Sequence, residues 1–202
     1  MTSGTRGYGE ESEEFVRRSE AIPFEEKHRH VLHLLPLDPC RVLDIGAGSG
    51  GDAARFVALG HQVVAVEPAD ELRSAAIALH PSERIEWGND SLPYLEWTRS
   101  LGRRFDLVMM TGVWMHLDEA ERQQAMPNVA SLIDPGGLLI MSIRHGWVPP
   151  NKLMFPVSAE ETISLAQTQG LVPLLHVEAD SIQPTNRQAN VTWSHLAFSR
   201  AG

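Results

Sequence analysis

The chain has 202 residues, 43% of them apolar and 6% aromatic, enough to build one domain around a full core. Seventeen Lys and Arg against 26 Asp and Glu give a net charge of −9, which repels polyanions and argues against a nucleic-acid binder. No run of about eighteen apolar residues exists to span a membrane, and a single cysteine, Cys40, excludes an internal disulfide framework and fits a reducing cytoplasm.

The first nine residues are small, polar and glycine-rich, with no apolar stretch of the signal-peptide kind, so export is not expected. Residues 10–20 and 24–35 read as two short helices divided by Pro23, with Phe15, Val16, Ile22, Phe24, Val31, Leu32 and Leu35 supplying apolar faces. Residues 1–37 are thus expected to form a helical cover outside the sheet core, and residues 38–202 a single globular unit. His28, His30 and His33 lie close together in the cover without a fourth ligand or a cysteine. They read as a solvated helix face, and no metal site is expected.

From residue 41 strand and helix alternate, the pattern of a parallel sheet covered on both faces. Strands are expected over 41–45, 62–67, 85–87, 105–111 and 138–143. Helices are expected over 52–59, stopped by Gly60, over 70–79 with Asp70 as cap, and from 118 to about 132. Asp118 with Glu121, and Ser158 with Glu161, have the spacing of capping boxes, the second opening a helix that ends at Gly170. Segments 171–178 and 191–199 follow each other without a helix between, which requires an antiparallel pair. The sequon-like Asn190-Val191-Thr192 reads as chance.

The most informative stretch is Val42-Leu-Asp-Ile-Gly-Ala-Gly-Ser-Gly-Gly51, an apolar strand ending on an acid and a glycine cluster, followed by an apolar run closed by Glu67. Gly46 lets the chain turn, Gly48 lets backbone approach a ligand, and Gly50 or Gly51 starts a helix whose free N–H groups face the same spot. Glu67 at the neighbouring strand end is placed to accept hydrogen bonds from both ribose hydroxyls of an adenosine-bearing cofactor. Gly46, Gly48 and Gly51 also satisfy the spacing of dinucleotide binders, so a nicotinamide-dependent oxidoreductase stays open on glycines alone. Asp44 opposes a pyrophosphate and suits the sulfonium and ammonium of S-adenosylmethionine. A second role for Asp44, as a cap on the amides near Gly48, is compatible with the first.

The ordered motifs resemble those of the class I S-adenosylmethionine-dependent methyltransferases over roughly residues 38–200. The resemblance rests on the glycine stretch, Glu67, Asn89-Asp90-Ser91-Leu92-Pro93, Phe105-Asp-Leu-Val108 and Leu132-Ile-Asp-Pro-Gly-Gly-Leu138. It implies a Rossmann-like doubly wound α/β fold, with a seven-stranded sheet ordered 3-2-1-4-5-7-6 and strand seven antiparallel. It also implies S-adenosylmethionine as cofactor and S-adenosylhomocysteine as product. Carried over, Asp44, Gly46, Ala47, Gly48 and Gly50 surround the methionine end, and Glu67 with Pro68 the ribose. Asp90, Ser91 and Leu92 stand at the adenine, and Thr111, Gly112 and Val113 near the sulfonium. An Asx turn is the competing role for Asp90.

The acceptor crevice lies beyond the carboxyl ends of the parallel strands. His116 and His145 are the candidate bases, His116 having a packing role as its alternative. Trp114, Arg144, Trp147 and Arg187 are candidate substrate contacts, with Tyr8 as a lid residue. The proline-rich segment 146–156 and the polar segment 180–190 are expected to supply walls. The expectation is a cytoplasmic enzyme, monomer or homodimer, that methylates a small molecule; a non-catalytic cofactor-binding protein is a further alternative.

Overall fold

Residues 42–45, apolar but for Asp44, and the continuous apolar runs at 63–66 and 107–110 are buried along their whole length, as strands covered on both faces must be. The computed structural model describes residues 12–202. In it β1 (Arg41–Ile45) is flanked by β2 (Gln62–Val66) and β4 (Phe105–Thr111), all parallel. β3 (Ile85–Gly88) extends the sheet beyond β2, while β5 (Ile133–His145), β7 (Thr192–Arg200) and β6 (Leu171–Asp180) extend it beyond β4. The order is 3-2-1-4-5-7-6, with β7 antiparallel to both neighbours, as the resemblance implied.

One face packs Leu43, Ile45, Val108, Met110 and Met141 against α6 (Glu119–Ser131) and α7 (Ala159–Thr168). The opposite face packs Val42, Val63, Leu107, Met109 and Ile140 against Phe56 of α3 (Gly51–Ala58). The remaining helices are α1 (Ser12–Glu20), α2 (Phe24–Lys27), α4 (Asp70–Leu79), α5 (Glu96–Ser100) and α8 (Pro184–Gln188). α5 and α8 are not among the helices expected from the sequence; α8 lies within the polar segment 180–190.

Four local expectations change. The helix expected over 24–35 ends at Lys27 and resumes only as a 3-10 turn at Leu32–Leu34, because His28 turns inward to Asp52 and Val31 enters the core beside Phe56. The N-terminal segment is therefore in part core, not only cover. Asp70 does not cap α4: Ala69 holds the cap position, its amide donates to Glu67 Oε1 at 2.9 Å, and Asp70 pairs with Arg73. β5 begins at Ile133, five residues early, because the Asp134-Pro-Gly-Gly137 turn is accommodated by a register shift against Phe105 and Leu107. Asp118 and Glu121 form the full capping box, whereas Glu161 gives its carboxylate to Arg122 at 2.8 Å, so Ser158 caps α7 alone.

Candidate active site at the carboxyl ends of the strands

The turn after β1 is built from backbone hydrogen bonds. The amides of Gly46 and Ala47 both donate to the Val66 carbonyl, at 2.8 and 3.0 Å, which ties the loop to β2. Gly46 has φ +71°, and a Cβ there would stand 2.5 Å from Val113 Cγ2, so no larger residue fits beside the loop that follows β4. Gly48 lies under the ring of Phe15, which would approach a Cβ to 3.0 Å. Gly50 caps α3 and faces Trp87, Ala76 and His80. It does not line the cavity; Gly51 does.

A cavity of about 370 Å³ opens over this turn. It brings together Asp44, Gly46, Ala47, Gly48, Glu67, Pro68, Asp90, Ser91, Leu92, Thr111, Gly112 and Val113, twelve of the thirteen residues assigned to the cofactor from sequence. Its polar floor is acidic. Asp44 is 2% exposed, and among the described residues nothing donates to its Oδ2. Burial first, and then the nearby Asp52 carboxylate, push Asp44 up to about 8, against the attraction of Lys27. Asp52, in the first turn of α3, receives Lys27 Nζ at 2.9 Å and His28 at 2.8 Å; these partners outweigh the burial penalty and hold it below the usual carboxylate range.

Glu67 is engaged on both oxygens. Oε2 accepts the Gly48 amide at 3.0 Å and Oε1 that of Ala69, while burial raises its pKa. The amide cap weighed for Asp44 therefore belongs to Glu67. Asp90 is likewise occupied, accepting the Ser91 amide at 2.9 Å and both the amide and hydroxyl of Thr98 at 2.8 and 2.7 Å. These contacts run to the next amide and to Thr98, not to the amide two residues on that an Asx turn uses, and Asp90, Ser91 and Leu92 all line the cavity.

The N-terminal segment closes the other side. Glu20 accepts the Ser49 hydroxyl at 2.6 Å, and Phe15, Arg18, Ile22, Lys27 and His30 all line the cavity. His28 and His30 thus do not form a solvated face: His28 is buried on Asp52, and the His30 ring packs 4.9 Å from that of His195. Among the described residues no group of His, Cys, Asp and Glu has the arrangement of a metal site.

Beyond Thr111 and Gly112 the cavity is lined by Met115, His116, Ser142, Arg144, Lys152 and Met154, facing Gln183, Asn186, Trp193 and His195. His116 is buried, and its Nδ1 lies 2.6 Å from the Leu153 carbonyl. A carbonyl only accepts, so Nδ1 carries the proton and Nε2 is the basic nitrogen. Burial keeps the ring below the usual histidine range. Arg144 is buried on β5, donating to the Trp147 carbonyl and to Met154 Sδ at 3.7 Å.

Four of the substrate and base candidates lie elsewhere. Trp114 is fully buried, its indole N–H donating to Thr162 Oγ1 at 3.2 Å on the face covered by α7. Trp147 is 52% exposed and contributes only its carbonyl; Arg187 is exposed outside the cavity. His145 pairs with Ser194 Oγ at 2.8 Å and does not reach the cavity. Tyr8 lies outside the described residues. Trp193 and His195 were missed. They sit opposite Arg144 and Ser142 in the β5–β7 ladder, and the two-residue alternation of a strand puts them on one face.

The fold and this loop have the architecture of the class I S-adenosylmethionine-dependent methyltransferases, and residues 42–137 match the family model described as a methyltransferase domain. Mouse glycine N-methyltransferase is 30% identical over 146 residues, covering 62% of this chain and 50% of that protein. The chain spans about half the length of the curated relatives it matches. Among solved structures, N-methyltransferase NodS from Bradyrhizobium japonicum in complex with S-adenosylhomocysteine aligns with TM-score 0.73 at 18% identity, over 96% of this chain and 98% of that one. The 1,6-didemethyltoxoflavin-N1-methyltransferase of Burkholderia thailandensis, also bound to S-adenosylhomocysteine, aligns with TM-score 0.67 at 22% identity, over 93% and 78% of the two chains.

The residues present fit that cofactor. A buried carboxylate oxygen with no partner among the described residues, at the edge of the cavity over the glycine turn, suits an ammonium.

Proposed function

We propose that the protein transfers a methyl group from S-adenosylmethionine to a small-molecule acceptor. The observation that carries this is Asp44, a buried carboxylate with an unsatisfied oxygen at the mouth of the glycine loop, beside Asp52 and Glu67. Asp52 is already balanced by Lys27 and His28; Asp44, once it sheds its proton, and Glu67 favour a cationic ligand and disfavour the pyrophosphate of a nicotinamide cofactor, which counts against the oxidoreductase reading.

The sulfonium, when bound, supplies an electrophilic methyl carbon. The chain's own residues orient and exclude water. Asp44 anchors the amino group, the carboxylate of Glu67 accepts from the ribose, and the Ser91–Leu92 backbone borders the adenine. Gly112, whose amide is held by Ser142 Oγ at 3.2 Å and by the Ser142 carbonyl at 3.1 Å, fixes the backbone at the methyl end. Phe15 and the α1 contacts to Ser49 cover the loop. Transfer requires the acceptor atom within about 3 Å of the methyl carbon and in line with its bond to sulfur. In this reading an acceptor that arrives protonated passes its proton to His116 Nε2. Space for an acceptor beside this imidazole favours an enzyme over a non-catalytic cofactor binder.

The test is a thermal-shift series with S-adenosylmethionine, S-adenosylhomocysteine, NAD and NADP. Ligand at 100 times its dissociation constant adds about 2.7 kcal/mol, worth several degrees in a chain of this size. The first two ligands raise the midpoint and the dinucleotides leave it unchanged; a response to NAD or NADP alone defeats the proposal.

A further inference from the structure

We infer that the acceptor carries an anionic group, a carboxylate or a phosphate, received where Arg144 of β5 and Lys152 of the following segment converge beside His116. This rests on the methyltransferase reading and names the substrate class for the same cavity.

The chain is acidic overall, and its cofactor floor holds three acids, yet the acceptor half is populated differently. Arg144 and Lys152 both line it, together with His116. The fold enforces this convergence. Segment 152–154 gives its Leu153 carbonyl to His116 Nδ1 and its Met154 sulfur to Arg144, while the Phe155 amide donates to the Met115 carbonyl at 2.8 Å. One short stretch of chain thereby carries Lys152 to the end of β5.

Arg144 is 8% exposed, and such a guanidinium is usually kept where planar, bidentate recognition matters. Both side chains make further contacts, so an entering anion joins or displaces an existing network. Two acids also line this side: Glu121 is committed to the α6 capping box, and Asp180 closes β6 at the same end of the sheet, two strands from His145 across Thr192. An anion held at this pair would bring a neighbouring acceptor atom alongside His116.

The test uses the full chain saturated with S-adenosylhomocysteine, so that failure of cofactor binding is seen first and separately. Midpoints of unfolding are then compared for acetate against acetamide and benzoate against benzamide at matched ionic strength. The carboxylates raise the midpoint by at least a few degrees more than the amides. That difference disappears in Lys152→Gln, while the shift given by S-adenosylhomocysteine is retained; Arg144→Gln behaves alike where it folds. Equal responses to acid and amide, no response to either, or a difference that survives Lys152→Gln overturns the inference.

Discussion

The Glu67 carboxylate accepts the Gly48 amide at 3.0 Å, so the acid that closes β2 also fixes the loop that leaves β1. The contact spans nineteen residues of chain and joins two ligand-facing groups into one unit. Hydrogen bonds to a charged acceptor are worth about 1.5–3 kcal/mol each. Glu67→Ala should therefore weaken S-adenosylhomocysteine by at least about tenfold and also lower the unfolding midpoint. Glu67→Gln, which keeps one acceptor oxygen, should retain more stability than affinity. Calorimetric titration of both variants checks this; unchanged affinity in Glu67→Ala refutes the ribose assignment.

A second prediction concerns the clamp between the N-terminal segment and α3. Lys27 and His28 both engage Asp52 in a largely buried cluster, with side-chain exposures of 23%, 5% and 7% for Lys27, His28 and Asp52. Removing one member of such a cluster leaves the others buried without a counter-charge, which costs about 3–5 kcal/mol. Asp52→Ala should fall in that range by urea unfolding, and limited proteolysis should then cut between residues 20 and 40 before the sheet. His28→Ala should cost less, because Lys27 still pairs with Asp52. Equal protease resistance in Asp52→Ala and the parent chain would exclude the clamp.

What the sequence made legible, and what it hid, follows from the range of each interaction. The loop 44–48 and Glu67 are written in local features, glycines at a turn and apolar runs of strand length, and the antiparallel pairing of the last two strands in the short interval between them, whereas the strand order came from the resemblance of the ordered motifs. The alternation within β7 also held the signal for Trp193 and His195, which project to the same face as Arg144. Trp114 was misplaced because position after a strand does not tell which way a 3-10 turn aims its side chains, and this turn sends the indole to Thr162. Asp52 with His28 had no local signal at all. Its partners lie 24 and 25 residues away, and only the folded contact shows why the helix expected over 24–35 breaks.

Asp44 carries a pH signature. Burial and Asp52 raise it from 3.8 to about 8 in the folded chain. Between those limits the folded state binds more protons than the unfolded state, so stability from this group is greatest below pH 4 and falls as pH rises toward 8. Its slope approaches about 1.4 kcal/mol per pH unit at most. Asp44→Asn should lose that slope and be more stable than the parent chain at pH 8, measured by urea unfolding at pH 5, 6, 7 and 8. The same carboxylate must shed its proton to receive an ammonium. Affinity for S-adenosylhomocysteine in the parent chain should therefore rise with pH up to about 8, with release of close to one proton at pH 7 in paired-buffer calorimetry. Parallel stability slopes in the two proteins would place the buried proton elsewhere.

His116 separates chemistry from binding. Its Nδ1–H is spent on the Leu153 carbonyl, and burial disfavours the imidazolium, so Nε2 stays unprotonated further into acid than an exposed histidine. Where that nitrogen takes the acceptor's proton, the acid limb of kcat lies below pH 6.5, the ordinary histidine value. His116→Ala should then lower kcat by about 10²–10⁴ and abolish the limb, while the dissociation constant of S-adenosylhomocysteine stays within about twofold. The ring touches the acceptor wall through Leu153, so a loss of packing alone would raise KM and leave both kcat and its pH limb in place. The pairing of a KM effect with an unmoved limb assigns His116 to the wall; a lost limb at constant cofactor affinity assigns it to proton transfer.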